Sequence, residues 1–250
     1  MEERLQKILA NFGYGARRKC EEMIAEGIVA VNGEIAKIGQ KADIEKDQIT
    51  VKGEPIVSAN TRNVYILLHK PAGYVCTKED PHAEKTVMDL VADIKYPLHP
   101  VGRLDKNTKG LLLMTNDGAF TNIVTHPSFS INKKYLALIQ GKITKTDIET
   151  LEKGIMLYGK QTSPCKINFR GYNKTKDMST CEVIIHEGKK RQVRKMFASL
   201  EKPVKSLTRI ELGPLTLKGV KEGSYRYLSM DEVRAVKTPG SKPNVKDMIK

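Results

Sequence analysis

The chain has 250 residues, of which 40% are hydrophobic and 29% charged, a composition typical of a globular protein with one large core or with a core and a small appendage. Lys and Arg number 43 against 29 Asp and Glu, and the net charge of +14 predicts a polyanionic partner. Nucleic acid is favoured over a membrane, because no basic amphipathic anchor helix stands out.

The charge is distributed unevenly. Residues 1–61 carry 9 basic and 10 acidic side chains, whereas residues 62–250 carry 34 basic and 19 acidic ones. The net positive charge of the protein therefore comes from the larger part of the chain. The smaller part can offer at most a local basic face.

Cysteine spacing and the N-terminus bear on the cellular compartment. The four cysteines are widely spaced, with no Cys-x-x-Cys pair, so neither a zinc site nor a disulfide framework is indicated. The N-terminus lacks the apolar core of a signal peptide, and no run approaches the ~20 apolar residues of a membrane span. We expect a cytoplasmic protein with reduced thiols and no membrane attachment.

The first 60 residues predict a compact module of two helices and short strands. Leu5, Ile8, Leu9 and Phe12 fall on one helical face, and Gly13 and Gly15 end that helix. A second helix is expected from near Ala16 to Gly27. A hairpin then turns at Asn32-Gly33, which suits a type I′ turn, and Gln48–Val51 is expected to be another strand.

Three cations, Arg17, Arg18 and Lys19, open the second helix, where free backbone amides also favour phosphate. A solvated helix face is an equally good interpretation of the triplet alone. The order of elements in residues 2–57, however, resembles the S4-type RNA-binding domain. We therefore expect an RNA-binding domain over residues 1–61, with the linker in residues 57–63.

The second part, from Val64, alternates short strands with a few helices. Helices are predicted at Thr86–Val91, Ala119–Thr125 and Asp147–Glu152, with a last one after Ser229. Strands are predicted at Tyr65–Leu68, Lys134–Ile139, Lys166–Tyr172, Cys181–His186, Val204–Leu212, Leu215–Leu217 and Tyr225–Leu228. They are too many and too close for a wound parallel sheet. We expect an α+β fold, in which a small N-terminal domain precedes a larger domain over residues 62–238. The sheet of that domain should be mixed, largely antiparallel and flanked by helices, and residues 239–250 should be a flexible basic tail.

The stretch from His99 to Gly118 is expected to form a loop, a buried strand and a turn. Asp105 stands on the loop between Arg103 and Lys106, and Gly110 leads into the apolar run Leu111–Met114. This arrangement places a carboxylate on a loop braced by a core strand. The alternative is a solvated aspartate in a surface salt bridge.

A basic segment begins at Lys189 and contains five cations in seven residues: Lys189, Lys190, Arg191, Arg194 and Lys195. It leads into a helix whose apolar stripe is Val193, Met196, Phe197 and Leu200. At 100° per residue Arg194 lies at the edge of the apolar face of this helix, so its guanidinium can point inward. Arg191 and Lys195 are expected to face solvent. A solvated basic helix is the alternative.

Three kinds of chemistry are disfavoured by spacing. The residues from Gly102 to Gly110 lack the Gly-Lys-Ser/Thr order of a phosphate-binding loop. Neither the His-x-Glu nor the Pro-Cys-x-x-Cys motif of a zinc deaminase is present, because Glu187 follows His186 directly and Asn168 stands where the second cysteine should be. No Gly-x-Ser-x-Gly nucleophile elbow occurs.

Five ordered segments resemble the ribosomal RNA pseudouridine synthases of the RsuA/RluB branch over essentially all of residues 62–237. They are HKPAGYVCT at 69–77, HPVGRLDKNTKGLLLMTNDG at 99–118, KKYLAL at 133–138, EGKKRQVRKMF at 187–197 and LTRIELGPLTL at 207–217. The resemblance implies that Asp105 is the nucleophile that detaches uracil, which rotates and rejoins the sugar through C5. It further implies that Tyr135 packs against the uracil, that Arg194 pairs with Asp105, and that Arg103 helps to hold the opened RNA.

The reaction so implied needs no metal or organic cofactor, and the predicted partner is ribosomal RNA bound by a monomer. The residues expected to bind RNA are Arg17, Arg18, Lys19, Arg103, Lys106, Lys189, Lys190, Arg191 and Lys195. The segments EGKKRQVRKMF and RLQKILA resemble the large-subunit members of the family more than the small-subunit ones, and this resemblance implies large-subunit RNA as the substrate. Two other functions stay open: a non-catalytic RNA-binding assembly factor, and a nucleic-acid glycosidase, which would need a second acid that Asp117 supplies poorly.

Overall fold

The computed structural model describes residues 2–56, 62–78 and 81–238. The chain divides into two compact units, with the main boundary between Asn63 and Val64; residues 116–118 group with the N-terminal unit. Residues 57–61 of the predicted linker and the predicted tail, residues 239–250, lie outside the described residues.

The N-terminal unit has the two helices and the hairpin that the sequence predicts. Its elements are β1 (Glu3–Arg4), α1 (Leu5–Asn11), α2 (Arg17–Ala25), β2 (Val29–Val31), β3 (Glu34–Ile35), β4 (Lys41–Ala42), β5 (Ile49–Val51) and β6 (Glu54–Pro55). Four strands form a sheet in the order β3-β2-β5-β6, and β1 pairs with β4. Leu5, Leu9, Cys20 and Val29 are fully buried between the helices and the sheet. The two-residue strand β3 is the second strand of the predicted hairpin. The other two-residue strands of this unit, β1, β4 and β6, were not predicted, because so short a pairing leaves no periodic pattern in the sequence.

The remaining elements build a larger sheet with helices on both faces. In chain order they are β7 (Tyr65–Lys70), β8 (His99–Val101), β9 (Lys109–Thr115), α3 (Gly118–Thr125), β10 (Lys133–Gln140), α4 (Lys145–Glu152), β11 (Met156–Leu157), β12 (Lys160–Gln161), β13 (Lys166–Asn173), β14 (Met178–Ile185), α5 (Gln192–Ala198), β15 (Val204–Leu212), β16 (Leu215–Thr216), β17 (Tyr225–Tyr227) and α6 (Met230–Lys237). Short 3₁₀ turns cover Asp89–Val91 and Pro127–Phe129.

The sheet follows the order β13-β14-β10-β15-β9-β7-β17, with β16 beside β15 and β8 beside β9. Among the named strands of the described chain only β9 and β15 pair in parallel, and the other neighbours in this sheet are antiparallel. The predicted α+β fold with a mixed, largely antiparallel sheet is confirmed.

Strand alternation divides the buried side chains of this sheet into two cores. On β7, Ile66 and Leu68 join the core covered by α4 and α5, whereas Tyr65 and Leu67 join the core covered by α3 and α6. Each fully buried side chain of this size contributes about 1.5–3 kcal/mol to folding. The two cores therefore fix the register of β7 and of β9, and β9 directly follows the Asp105 loop.

Two local predictions need correction. The helix expected at Thr86–Val91 is only a 3₁₀ turn from Asp89, because the backbone around Thr86 pairs with Val75 instead: the Val75 N–H donates to the Lys85 carbonyl and the Val87 N–H to the Val75 carbonyl, each at 3.0 Å. His99–Val101, expected to be part of a loop, pairs with β9 as a strand. None of the helices in the described ranges is long and apolar enough to cross a bilayer.

Candidate active site

The Asp105 loop connects β8 to β9 and is anchored by its neighbours in sequence. Leu104 is buried, and its N–H donates to the Cys76 sulfur at 3.3 Å. The Thr108 N–H donates to the Asp105 carbonyl oxygen at 2.9 Å, which closes a turn. Between these anchors Asp105 is half-buried, while Arg103 and Lys106 are exposed. The predicted carboxylate on a braced loop is therefore what the chain forms.

Lys70, at the end of β7, holds the Asp105 loop by hydrogen bonds to its backbone. Its side chain is fully buried, and its ammonium donates to the carbonyl oxygens of Pro71 (2.8 Å), Lys106 (3.1 Å) and Thr108 (2.9 Å). Burial lowers the pKa of Lys70, and the nearby Cys76 and Asp105 oppose that shift. Sequence reasoning missed this role. Strand alternation was the available signal, because Lys70 shares its face of β7 with Ile66 and Leu68.

Gly110 allows β9 to approach β15 closely where the loop ends. Its φ is +112°, and a Cβ there would lie 2.2 Å from the backbone oxygen of Arg209. Only glycine satisfies both conditions. Arg209 is itself buried, and its Nε donates to the Leu111 carbonyl at 2.7 Å, so strand and side chain together hold the start of β9.

A cavity of about 550 Å³ opens over the loop. Asp105 lies on its wall together with Tyr135, which is only 8% exposed and is fixed on β10 between Val183 of β14 and Arg209 of β15. Of the residues predicted for RNA binding, Arg103, Lys106, Lys189, Lys190 and Arg191 also line it. The cavity thus combines one carboxylate, one aromatic side chain and five cations.

Arg194 does not form the predicted ion pair. Its guanidinium donates instead to the carbonyl oxygens of Val204 (3.0 Å) and Asn107 (2.9 Å), and among the described residues no ion pair within 4.0 Å joins it to Asp105. Burial and the charge of Arg191 lower the pKa of Arg194, whereas the charge of Asp105 raises it. Arg194 therefore holds the Asp105 loop through its backbone and acts on the carboxylate as a nearby charge.

The segment before α5 is fixed by two polar side chains. The Gln192 amide donates to Glu187 Oε1 at 2.6 Å, and the same oxygen accepts from the Ser163 N–H at 2.9 Å. The Gln192 side-chain oxygen Oε1 accepts from the Lys189 backbone N–H at 3.0 Å. These bonds shape the cavity wall formed by residues 188–191.

Of the two side chains predicted to face solvent, Arg191 is exposed, whereas Lys195 is half-buried. Arg191 precedes α5 in a left-handed conformation (φ 55°), so the helical spacing does not apply to it, and it lines the cavity. The Lys195 ammonium lies over the Tyr158 ring, 3.6 Å from the centroid. The Lys189 ammonium is also held internally, by the Gln161 carbonyl at 2.8 Å and by Glu187 at 3.6 Å.

The predicted cations of the N-terminal unit stand at the start of α2. Arg17, Arg18 and Lys19 are all exposed, and the N-cap residue Ala16 provides no side-chain hydrogen bond to the helix. The first backbone amides of α2 thus receive no side-chain cap. The triplet and these amides form one local basic surface on a unit with little net charge.

A small module with a basic helix start, followed by a domain whose cationic cavity encloses a half-buried carboxylate, has the features of an enzyme that acts on nucleic acid. The profile of the RNA pseudouridylate synthase family matches residues 64–199, and that of the S4 domain matches residues 3–49. The chain belongs to the RNA pseudouridylate synthase family, and the resemblance seen in the sequence is confirmed.

Individual proteins resemble the chain over almost its whole length. The ribosomal large subunit pseudouridine synthase B of Bacillus subtilis (strain 168) is 40% identical over 94% of this chain and 96% of its own length. An uncharacterized RNA pseudouridine synthase of Aquifex aeolicus (strain VF5) is 37% identical over 93% of both chains. A pseudouridylate synthase crystal structure with 29% identity superposes with a TM-score of 0.64, covering 93% of this chain and 99% of the other. The chain is therefore an RNA-modifying isomerase with an N-terminal S4 domain.

Proposed function

We propose that this enzyme isomerises a specific uridine of large-subunit ribosomal RNA to pseudouridine, with Asp105 as the nucleophile. The observation that carries the proposal is the position of Asp105, half-buried in a cationic cavity beside Tyr135. The choice of large-subunit RNA is supported by the name of the Bacillus subtilis relative. We further propose that the enzyme works as a cytoplasmic monomer, with domains at residues 1–61 and 62–238.

The reaction that the family resemblance implies uses one carboxylate throughout. An Asp105 oxygen bonds to C1′ of the target uridine while the bond from C1′ to N1 breaks, and uracil leaves as an anion. The base rotates, its C5 bonds to C1′ and the ester to Asp105 breaks. C5 then loses its proton and N1 gains one. Attack at C6 of the base is the other route open to the same carboxylate.

The surrounding residues suit this chemistry. A uracil must leave its stack to enter the cavity, and the Tyr135 ring can receive its face. Arg194 keeps the Asp105 loop in place through the Asn107 carbonyl and supplies a positive charge near the carboxylate. Arg103, Lys106, Lys190 and Arg191 would neutralise phosphates around the cavity, while the internally bound Lys189 and Lys195 would shape its rim.

Arg17, Arg18 and Lys19 would bind a separate part of the RNA and position the substrate without chemistry. Their replacement by glutamine should raise the RNA KM and leave kcat nearly unchanged. The salt dependence of binding should become shallower by roughly 0.7–0.9 in log–log slope for each phosphate that is no longer neutralised. If KM and the slope were unaltered, Arg17, Arg18 and Lys19 would not contact the RNA.

The nucleophile is tested with Asp105→Asn, which keeps the side-chain shape but removes the charge. Large- and small-subunit RNA from a strain lacking the gene are incubated with each protein, and pseudouridine is mapped by carbodiimide primer extension. Wild type should modify one position of large-subunit RNA. Asp105→Asn should form no pseudouridine yet bind RNA with equal or higher affinity in filter binding, since an anion near phosphate has been removed.

The control is Asp231→Asn, which removes a 91% exposed carboxylate and should retain full activity. Turnover by Asp105→Asn above roughly a thousandth of wild type, a difference of only about 4 kcal/mol in barrier, would contradict an obligatory nucleophile. Modification of small-subunit RNA alone would contradict the proposal that large-subunit RNA is the substrate. Release of free uracil would reveal a glycosidase, and an unchanged nucleoside profile would favour a binding protein.

A further inference from the structure

The hairpin formed by β11 and β12 presents an aromatic ring at an unfavourable backbone position. Its two turn residues, Tyr158 and Gly159, have φ values of 55° and 72°, and the first hairpin of the chain has similar values at Asn32 (53°) and Gly33 (84°). Asn-Gly is the pair preferred at such a turn, whereas a positive φ is unfavourable for a bulky side chain. Turn stability therefore does not explain why a tyrosine occupies position 158.

Tyr158 contributes no apolar burial that would explain it. The residue is 60% exposed, and the neighbouring Met156 is 67% exposed. The contacts of Tyr158 are instead with the basic segment. The Lys195 ammonium lies 3.6 Å from the ring centroid and donates to the hydroxyl, and that hydroxyl donates to the Lys190 carbonyl at 3.3 Å. One side of the ring is thus held by a cation, and most of its surface remains in solvent.

The hairpin is also tied to the cavity wall. The Lys189 ammonium donates to the Gln161 carbonyl at 2.8 Å, and both Lys189 and Lys190 line the cavity that contains Asp105. Lys160 of the same hairpin and Lys190, whose carbonyl accepts from Tyr158, are both exposed. An exposed aromatic face with cations around it is the surface on which single-stranded RNA bases stack, because every base has a π-face and each phosphate needs a positive charge.

We propose that Tyr158 is a stacking platform for a base that flanks the target uridine, with Lys195 fixing the ring from its other side. The inference rests on the proposed function, since it assumes that the target nucleotide occupies the Asp105 cavity. Tyr158 bonds to Lys190 on the wall of that cavity, and the proposal therefore has RNA that leaves the cavity pass the ring. Stacking there would keep the neighbouring nucleotide from returning to its helix while the target base is extruded.

Tyr158→Asn separates the platform from the fold, because it removes the ring and supplies the preferred Asn-Gly turn. The substrate is a synthetic RNA hairpin carrying the uridine mapped above, with 2-aminopurine placed singly at each flanking position. Wild type should quench 2-aminopurine fluorescence at one of these positions. Tyr158→Asn should abolish the quenching, raise Kd and KM about 5- to 150-fold and leave kcat at saturating RNA near wild type.

Two variants control for other causes. Tyr158→Phe keeps the ring and should retain both quenching and affinity. Tyr227→Ala removes a 55% exposed tyrosine from β17, at the opposite end of the sheet from β13, and should bind like wild type. Thermal unfolding of each variant verifies the fold. If wild type forms pseudouridine while Tyr158→Asn retains its affinity and quenching, the platform is refuted and the proposed function stands. If wild type forms none, the proposed function itself fails.

Discussion

The ammonium of Lys70 donates a hydrogen bond to the carbonyl oxygen of Thr108 at 2.9 Å, across 38 positions of sequence. Two further carbonyls, of Pro71 and Lys106, complete its shell, so a buried positive charge is satisfied entirely by backbone oxygens. This arrangement replaces the apolar contact that strand alternation would place at the end of β7. By binding the Lys106 and Thr108 carbonyls, it also fixes the backbone of the three residues that follow Asp105.

Replacing Lys70 by methionine should therefore destabilise the protein, although it removes a buried charge. Three carbonyl oxygens would lose their donor, and we expect a loss of about 2–4 kcal/mol in the free energy of unfolding, together with a lower kcat. Urea denaturation measures the first effect. Lys145→Met, which removes a 91% exposed side chain, should change stability by less than about 0.5 kcal/mol. Equal midpoints for the two variants would show that the Lys70 hydrogen bonds contribute nothing.

Gly110→Ala should be among the more damaging small substitutions in the larger unit. The new Cβ would lie 2.2 Å from the Arg209 backbone oxygen at a φ of +112°, and we expect a loss of about 2–5 kcal/mol from overlap and strain together. Gly219→Ala isolates the strain, because its φ is +79° and nothing lies within 4 Å of the added Cβ. It should cost only about 1–2 kcal/mol. Similar thermal shifts for both variants would rule out a tight approach of β9 to β15.

The elements that the sequence predicted well are those whose pattern is local. The apolar run Leu111–Met114 became a buried strand, and the stripe of Val193, Met196 and Phe197 became the inner face of α5, because period alone determines which side is buried. The sequence also placed Asp105 on a loop beside a core strand, since Gly110 and the strand boundaries bracket it.

The contacts between distant segments could not be predicted in this way. Arg194 was expected to reach Asp105, yet it binds the Val204 and Asn107 carbonyls, because backbone acceptors have no sequence signature. Lys195 was assigned to solvent by its helical position, but Tyr158, 37 positions earlier, covers it. The contact of Tyr158 with Lys195 depends on how the hairpin of β11 and β12 folds back, which neither periodicity nor composition encodes.

Two threonines of the same region offer a test of buried hydroxyls. Thr108 Oγ1 is buried and has no hydrogen-bond partner within the described part of the chain, whereas Thr115 Oγ1 donates to the Val64 carbonyl at 2.6 Å. Thr108→Val should leave stability unchanged or raise it by up to about 1 kcal/mol, since an unsatisfied polar group is removed. Thr115→Val should cost about 1–3 kcal/mol. The opposite ranking in chemical denaturation would mean that the Thr108 hydroxyl has a partner in solution.

Lys133 should make stability depend on pH in the alkaline range. Burial, reinforced by the charge of Arg209, lowers the pKa of Lys133 from 10.5 to about 8, while its ammonium donates to the carbonyls of Ile131 (3.0 Å) and His186 (2.8 Å). Between these two pKa values the unfolded chain holds the proton and the folded chain does not. The unfolding free energy contributed by Lys133 therefore rises with pH from about 8 to 10.5 and is constant below that window.

The prediction is checked by chemical denaturation at pH values from 7 to 10.5, comparing wild type with Lys133→Met. The variant lacks the titrating group, so the difference in unfolding free energy, wild type minus variant, should grow in favour of wild type as the pH rises through this range. Lys145→Met controls for the loss of one lysine charge from an exposed position. A difference that stays constant or shrinks with rising pH would mean that the Lys133 ammonium keeps its proton in the folded protein, held by the Ile131 and His186 carbonyls more strongly than burial disfavours it.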